Sequence, residues 1–313
     1  MKILPYIILF ASLAPVMAQP ALERAPCWLK DAASVDQEVW LLCESDQLLS
    51  SRDAGETWRL GPVPVEGKMR ALAFVDERRG FALGESGTVV VTEDGGATWK
   101  PVETGVEDDL NDIQFVGEQG WIAGYDGVIL HTADGGRTWA RQTSGVSQSI
   151  EKIFILDEQH GWAVGWSGMI LRTSNGGESW ELIEVPEAQW SLSGVYFRDA
   201  QNGWVVGMLG QLLRSRDGGA TWEVQQSPVR AWLTSVAFDQ YGHGWITTEN
   251  DLLVSEDGGE SWRVLGRSEW MFLNSFVRVK NVLWAIGPFG ALKRTGPGVD
   301  DWKRIESLNS PSS

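Results

Sequence analysis

The chain has 313 residues, 43% of them apolar, and its 42 acidic against 26 basic side chains give a net charge of −16. So acidic a surface repels nucleic-acid phosphates and anionic lipid head groups, which argues against DNA, RNA or peripheral lipid as a partner. The apolar fraction is ample for a single large domain.

The N-terminus comes first in chain order. Met1-Lys2 is a short basic start, residues 3–16 form an apolar run, and Val16-Met17-Ala18 resembles a small-x-Ala cleavage site before Gln19. The run is short for a spanning helix, so residues 1–18 read as a cleaved signal peptide; an uncleaved anchor is the other reading. Loss of Lys2, the single charge in that stretch, takes the net charge from −16 to −17. Arg24-Ala25-Pro26 does not form a lipobox before Cys27. The expectation is a periplasmic or secreted protein with no membrane insertion after cleavage. Cys27 and Cys43 are the only cysteines, and in an oxidising compartment they are expected to pair. Closing so short a loop would stabilise the chain by about 3 kcal/mol. Two buried free thiols are the alternative.

From here the chain repeats itself. The pattern S/T-x-D/N-x-G-x-T/S-W ends on Trp58, Trp99, Trp139, Trp180, Trp222 and Trp262, with a degenerate copy ending on Trp302. The intervals are 41, 40, 41, 42, 40 and 40 residues. Its Asp or Asn (Asp53, Asp94, Asp134, Asn175, Asp217, Asp257) can bond backbone N–H groups of its own turn, and its Gly supplies positive φ. These residues read as structural turn clamps, because one carboxylate per unit leaves no oxygen cluster for a cation. Upstream of each turn come short β-branched and aromatic runs, such as residues 153–157, 161–165 and 169–173, separated by Gly-rich turns. Each unit therefore holds four strands, and no window shows a helical period.

Four strands in about 40 residues, copied radially, are the sign of an all-β fold, a seven-bladed β-propeller of four-stranded antiparallel blades. The expected ring spans residues 19–306, with residues 307–313 a disordered tail and Gln19–Pro26 free to latch the ring. If strands a to d run outward, the clamp turns are c–d turns and share one face with the a–b turns. The other face gathers the b–c turns (Tyr125-Asp126, Trp166-Ser167, Met208-Leu209, Glu249-Asn250, Pro288-Phe289). It also gathers the links between blades (Lys68, Trp190, Arg230, Trp232, Trp270, Met271).

The Trp count sharpens this. Of 18 Trp, seven end the turns and six (Trp40, Trp121, Trp162, Trp204, Trp245, Trp284) share a second repeat position. Five remain, and Trp166, Trp190, Trp232 and Trp270 fall on the b–c face, while Trp28 stands outside the pattern. Rigid aromatics beside an Arg are the composition of a binding patch. Tyr125, Trp166, Trp190, Arg230, Trp232, Trp270 and Phe289 are therefore the candidate partner-binding residues. The alternative is a plug for the funnel mouth.

Catalysis finds little support. A sialidase needs a Tyr nucleophile and an Arg cluster, but Tyr125, Tyr196 and Tyr241 are the only tyrosines after residue 18, and no Arg triad accompanies them. His131, His160 and His243 do not have metal-ligand spacing. No catalytic residue, metal or cofactor is expected.

The combination G-W-x-x-G-x-x-G-x-I/L-L-x-T-x-D-G-G-x-T-W, repeated over residues 27–305, resembles the Ycf48/Hcf136 photosystem II assembly factors. That resemblance implies a seven-bladed propeller without catalysis, binding a membrane protein complex or an assembly intermediate of one. In photosynthetic members an Arg-rich patch makes contact with the reaction centre, and relatives without photosystems are associated with transporters. Here the Arg residues are scattered (Arg52, Arg137, Arg216) and the charge is negative, which favours a non-photosynthetic relative. The competing expectation is a glycan-binding or glycoside-hydrolase, sialidase-like propeller, whose aromatics would stack on sugar rings.

Overall fold

The computed structural model describes residues 27–44, 46–64, 67–265 and 272–309. The expected signal peptide, the proposed latch at Gln19–Pro26, and Trp270 with Met271 lie outside the described residues. Seven four-stranded sheets, each with its strands in sequence order, form the seven blades. Blade one comprises Leu29–Val35, Glu38–Cys43, Gln47–Ser51 and Arg59–Pro62. Blade seven comprises Ser275–Val279, Val282–Gly287, Gly290–Arg294 and Trp302–Arg304. First strands touch the first strands of both neighbours all the way round, including blade one against blade seven, so strand a lines the axis and the ring is closed. Strand b is buried along its length, while strand d is exposed at the rim.

The core lies between the blades rather than within them. Each buried cluster combines residues of two adjacent blades, one cluster per seam. The second repeated Trp organises these seams. Trp162 in strand b of blade four stacks on Phe197 of blade five, with centroids 3.4 Å apart. Its Nε1–H donates to the carbonyl of Gly218 in the next blade's clamp turn at 3.0 Å. Trp40 repeats both contacts, stacking on Phe74 and donating to the Gly95 carbonyl. Trp204 packs on Phe238 at a tilt of 35°, with centroids 4.2 Å apart, and donates to the Gly259 carbonyl. Trp121 reaches Gly176, and Trp245 reaches Val299. At the ring closure the turn must be bare: Gly55, at φ 83°, lies so close to Trp284 that a Cβ there would strike its ring. Blade two carries Phe81 in this position; it stacks on Phe115, and the Arg79–Glu118 ion pair spans the same seam.

The clamp turns are self-contained. In blade two the Thr98 N–H and hydroxyl donate to the two oxygens of Asp94, and the Thr92 hydroxyl donates to Oδ1. Gly95 N–H bonds the Arg78 carbonyl of the same blade's a–b turn, which puts both turns on one face. Asp53, Asp134, Asp217 and Asp257 repeat the pattern, and Asn175 reproduces it by donating Nδ2–H to Ser179. The degenerate seventh turn is held differently. Arg294 is buried, pairs with Asp239 at 2.9 Å and donates to the carbonyls of Gly296 and Gly298.

One boundary differs from expectation. Residues 307–309, expected to begin a loose tail, belong to a 3-10 turn over 306–309 in which Leu308 is buried against blades one and seven, and residues 310–313 lie outside the described residues. The Ser307 hydroxyl donates to the Gly55 carbonyl at 2.5 Å. A single buried leucine suffices to dock the segment, a signal too short to stand out in a polar stretch. Cys27 and Cys43 are joined by a disulfide within blade one.

Two predictions follow from the seams and the turns. Trp204→Phe keeps the ring packing but loses the Nε1–H bond, and should cost about 1 kcal/mol in denaturant unfolding. Trp204→Ala should cost about 3–5 kcal/mol. The hydrogen bonds from Thr57 and Thr98 lower the carboxyls of Asp53 and Asp94 to about 2, from the usual 3.8. Their stabilisation is complete above 3.8 and is lost as pH falls towards 2. Asp94→Asn should therefore lower the neutral melting temperature and flatten its fall between those two values.

Candidate functional site

The b–c face is built by one recurring turn. Strand b ends, a three-residue 3-10 turn follows, and strand c begins: Glu85–Gly87, Trp166–Gly168 and Met208–Gly210 are three instances. The turn's first N–H bonds the approach to its own strand a, as in Trp166 to Ser149 at 3.0 Å and Met208 to Ser191 at 3.0 Å. Its second residue is left-handed and points outward. Its third is a Gly that backs directly onto the following link, where a Cβ would collide with the carbonyl of Ala188 or Val229. The fold fixes the third position and leaves the first two free.

Trp28, Trp166, Trp190 and Trp232 all lie on this face and are between 43% and 54% exposed. Tyr125 is half-buried, edge-on to Trp166 at 5.6 Å and beneath the Arg70 guanidinium at 5.3 Å. Trp232 donates its Nε1–H to Ser193 at 3.0 Å, the Trp190 backbone N–H donates to Gln211 Oε1 at 3.3 Å, and Arg230 is exposed. Phe289 does not join them. It packs with Phe272 and Trp28 across the closure between blades seven and one, at 5.9 and 6.2 Å. The candidate residues thus share one face without forming a single cluster, and Trp270 lies outside the described residues.

Trp28 and Phe272 were missed by sequence reasoning. Trp28 was legible: it directly precedes the buried Leu29, as Trp232 precedes the buried Leu233. Phe272 lies in a link with no repeat register to read.

Inside this aromatic border is a mouth of about 670 Å³, lined by Lys30, Arg70, Tyr125, Trp232, Glu249 and Phe272 among others. A second cavity of about 560 Å³ continues down the axis, and Asp31 and Lys152 line both. The floor is charged. Lys152 Nζ lies 2.8 Å from Asp112, and Asp31 accepts the Leu72 N–H at 2.9 Å. Burial pushes Asp31 up to about 6, against the opposing pull of Lys152 and with a further push from Asp112. Burial alone would lower Lys152, but Asp112 and Asp31 together hold it charged and above its usual range. At the rim Arg70 pairs with Asp109 at 2.6 Å and donates to Asn111 Oδ1 at 2.8 Å, while burial lowers Lys30.

The three tyrosines stand apart: Tyr125 at the mouth, Tyr196 half-buried in the lower cavity, Tyr241 exposed on the opposite face. His131, His160 and His243 bond Gln119, Asp157 and Asp239 respectively. No group of three metal-ligating side chains occurs among the described residues.

The family model described as photosynthesis system II assembly factor YCF48 matches residues 57–150, 144–226 and 179–270, well over half of the sequence. The chain belongs to this family. No curated protein matches significantly. Among solved structures, YCF48 bound to D1 peptide superposes with a TM-score of 0.74 at 18% identity, covering 88% of this chain and 96% of that one. YCF48 from Cyanidioschyzon merolae gives a TM-score of 0.70 at 18% identity over the same shares. An ancestral GH74 enzyme gives 0.70 at 13% identity, covering 92% of this chain and 47% of its own. At such identities these likenesses establish the propeller and nothing more.

The buried carboxyl predicts a pH signature. Because the folded-state value of Asp31 stands above its unfolded 3.8, its contribution is full below 3.8 and is lost as pH rises through about 6. Differential scanning fluorimetry should show wild type losing more stability than Asp31→Asn as pH rises from about 4 to about 6, with the two curves converging in acid.

Proposed function

We propose that this member of the Ycf48 family is an exported, non-catalytic, protein-binding propeller that serves as an assembly or stability factor for a membrane protein complex. It docks through the b–c face. The observation that carries this reading is the one-sided distribution of exposed aromatics. All four exposed Trp of the described residues lie on that face, while the opposite one shows only Tyr241 and Val282 among exposed large apolar side chains. Such rings bury much area at low entropic cost and act as hot spots. The closed ring presents them already ordered, which removes part of the cost of association. The YCF48 structure holding a D1 peptide supports a polypeptide as the class of ligand. The apolar N-terminal run and the disulfide support export to an oxidising compartment.

Trp190→Ala combined with Trp232→Ala should weaken capture of the partner from detergent-solubilised membranes by about 30-fold or more, with little change in melting temperature. Capture indifferent to both changes would count against the face. Turnover of a glycoside by the purified protein, or selective retention on a glycan array, would overturn the reading in favour of a carbohydrate-active propeller.

A further inference from the structure

Two exposed apolar side chains on the b–c face stand in backbone that disfavours them. Leu209, second residue of the blade-five turn, has φ 57° and is 44% exposed. Phe272, on the link into blade seven, has φ 60° and is 43% exposed. In this left-handed region a Cβ crowds the following carbonyl, and Gly, Asn and Asp enter it at least cost. The equivalent turn position holds Ser86, Asp126 and Ser167, at φ 54°, 50° and 58°, so the turn closes perfectly well on a small polar residue. Leu209 is not required by the turn, and Met208 beside it is exposed as well. Phe272 meets Phe289 only edge-on, at 5.9 Å. Strain retained by side chains that the fold does not bury marks a functional position.

Between these two, in ring order, lies blade six. Its b–c turn brings Glu249 to the mouth, where the Glu249 carbonyl accepts the Phe272 N–H at 3.1 Å. The Glu249 carboxylate forms no ion pair with any described residue, and neither does Arg230 on the link into the same blade. The cations that line the same mouth, Lys30, Lys68, Arg70 and Lys152, come from blades one, two and four and the link into blade two, and none of them pairs with Glu249. This sector therefore offers two exposed apolar side chains and a carboxylate with no ion pair among the described residues, on a protein of net charge −16 that draws cations towards it. Phe272 and Glu249 line a concave mouth of about 670 Å³, which a flat bilayer could not fill and a polypeptide segment could.

We infer that Leu209 and Phe272 are the anchors with which this face grips an extended protein segment bearing apolar side chains around a Lys or Arg, the cation facing Glu249. The inference rests on the docking role proposed above and names the chemistry of the docked segment.

Fluorescence anisotropy with short labelled peptides tests it. One peptide carries Leu and Phe around a single Lys, a second has Glu for that Lys, and a third has Ser for the apolar residues. The Lys peptide should bind, and the other two should bind about tenfold more weakly or worse. Leu209→Gly and Phe272→Asn should each weaken the Lys peptide about tenfold while leaving the melting temperature unchanged or raised, because the strain is relieved. Glu249→Gln should abolish the preference for Lys over Glu. A lowered melting temperature in Leu209→Gly would make that residue structural and overturn the assignment. So would full affinity in both anchor variants, a preference for the Glu peptide, or no binding of the Lys peptide. Binding of wild type, but not Leu209→Gly, to phosphatidylcholine vesicles would assign the anchors to lipid instead. If these arms fail while Trp190→Ala with Trp232→Ala still abolishes partner capture, the anchors fall and the docking face stands; if both fail, the face falls with them.

Discussion

The contact between strand b of one blade and the clamp turn of the next holds this molecule together. A four-stranded blade cannot bury its own faces, so each one relies on its neighbour for a core. An indole meets that need twice over. Its ring stacks on the neighbour's Phe, and its N–H satisfies a turn carbonyl that would otherwise sit half-buried and unpaired, as Trp162 does with Phe197 and Gly218. Both contacts are directional, so they fix the rotation from blade to blade as well as the distance. A rotation repeated around an axis closes the ring, and among the described residues it closes without a shared strand. Blade one and blade seven each keep four strands of their own.

Departures from the repeat show how local the compensation is. Phe81 cannot donate a hydrogen bond, and its seam carries the Arg79–Glu118 pair. The seventh clamp turn has lost its pattern, and Arg294 stacks over Trp245 at 4.4 Å while tying the turn to Asp239. Such substitutions leave the ring geometry intact because each seam is satisfied by its own residues.

The two faces divide the work. On one, the clamp turns spend their carboxylates on their own backbone, so much of the acidity there is structural. On the other, the fold needs only a Gly in third place and a bond from the first N–H, which leaves the first two turn positions open to functional side chains. Tyr125, Trp166 and Met208 occupy the first of these, and Leu209 the second. The mouth behind them combines a rim of aromatics with a charged floor, where Asp31, Asp112 and Lys152 hold one another in place.

The sequence by itself determined the count of blades, the strand order and the face to which each turn belongs, because these depend on periodicity and on chain direction alone. It also separated Trp190 and Trp232 from the structural Trp by register. It did not assign a partner to Trp40, Trp162 or Trp204, since the carbonyls they reach lie about 55 residues away, at 55 and 56 residues' separation in the next repeat. Nor could it order residues 306–309, gather Phe289 with Trp28 and Phe272, or raise the Asp31 carboxyl. Those outcomes depend on which side chains the closed ring brings across a seam and how much water it leaves beside them, and only the tertiary structure sets either.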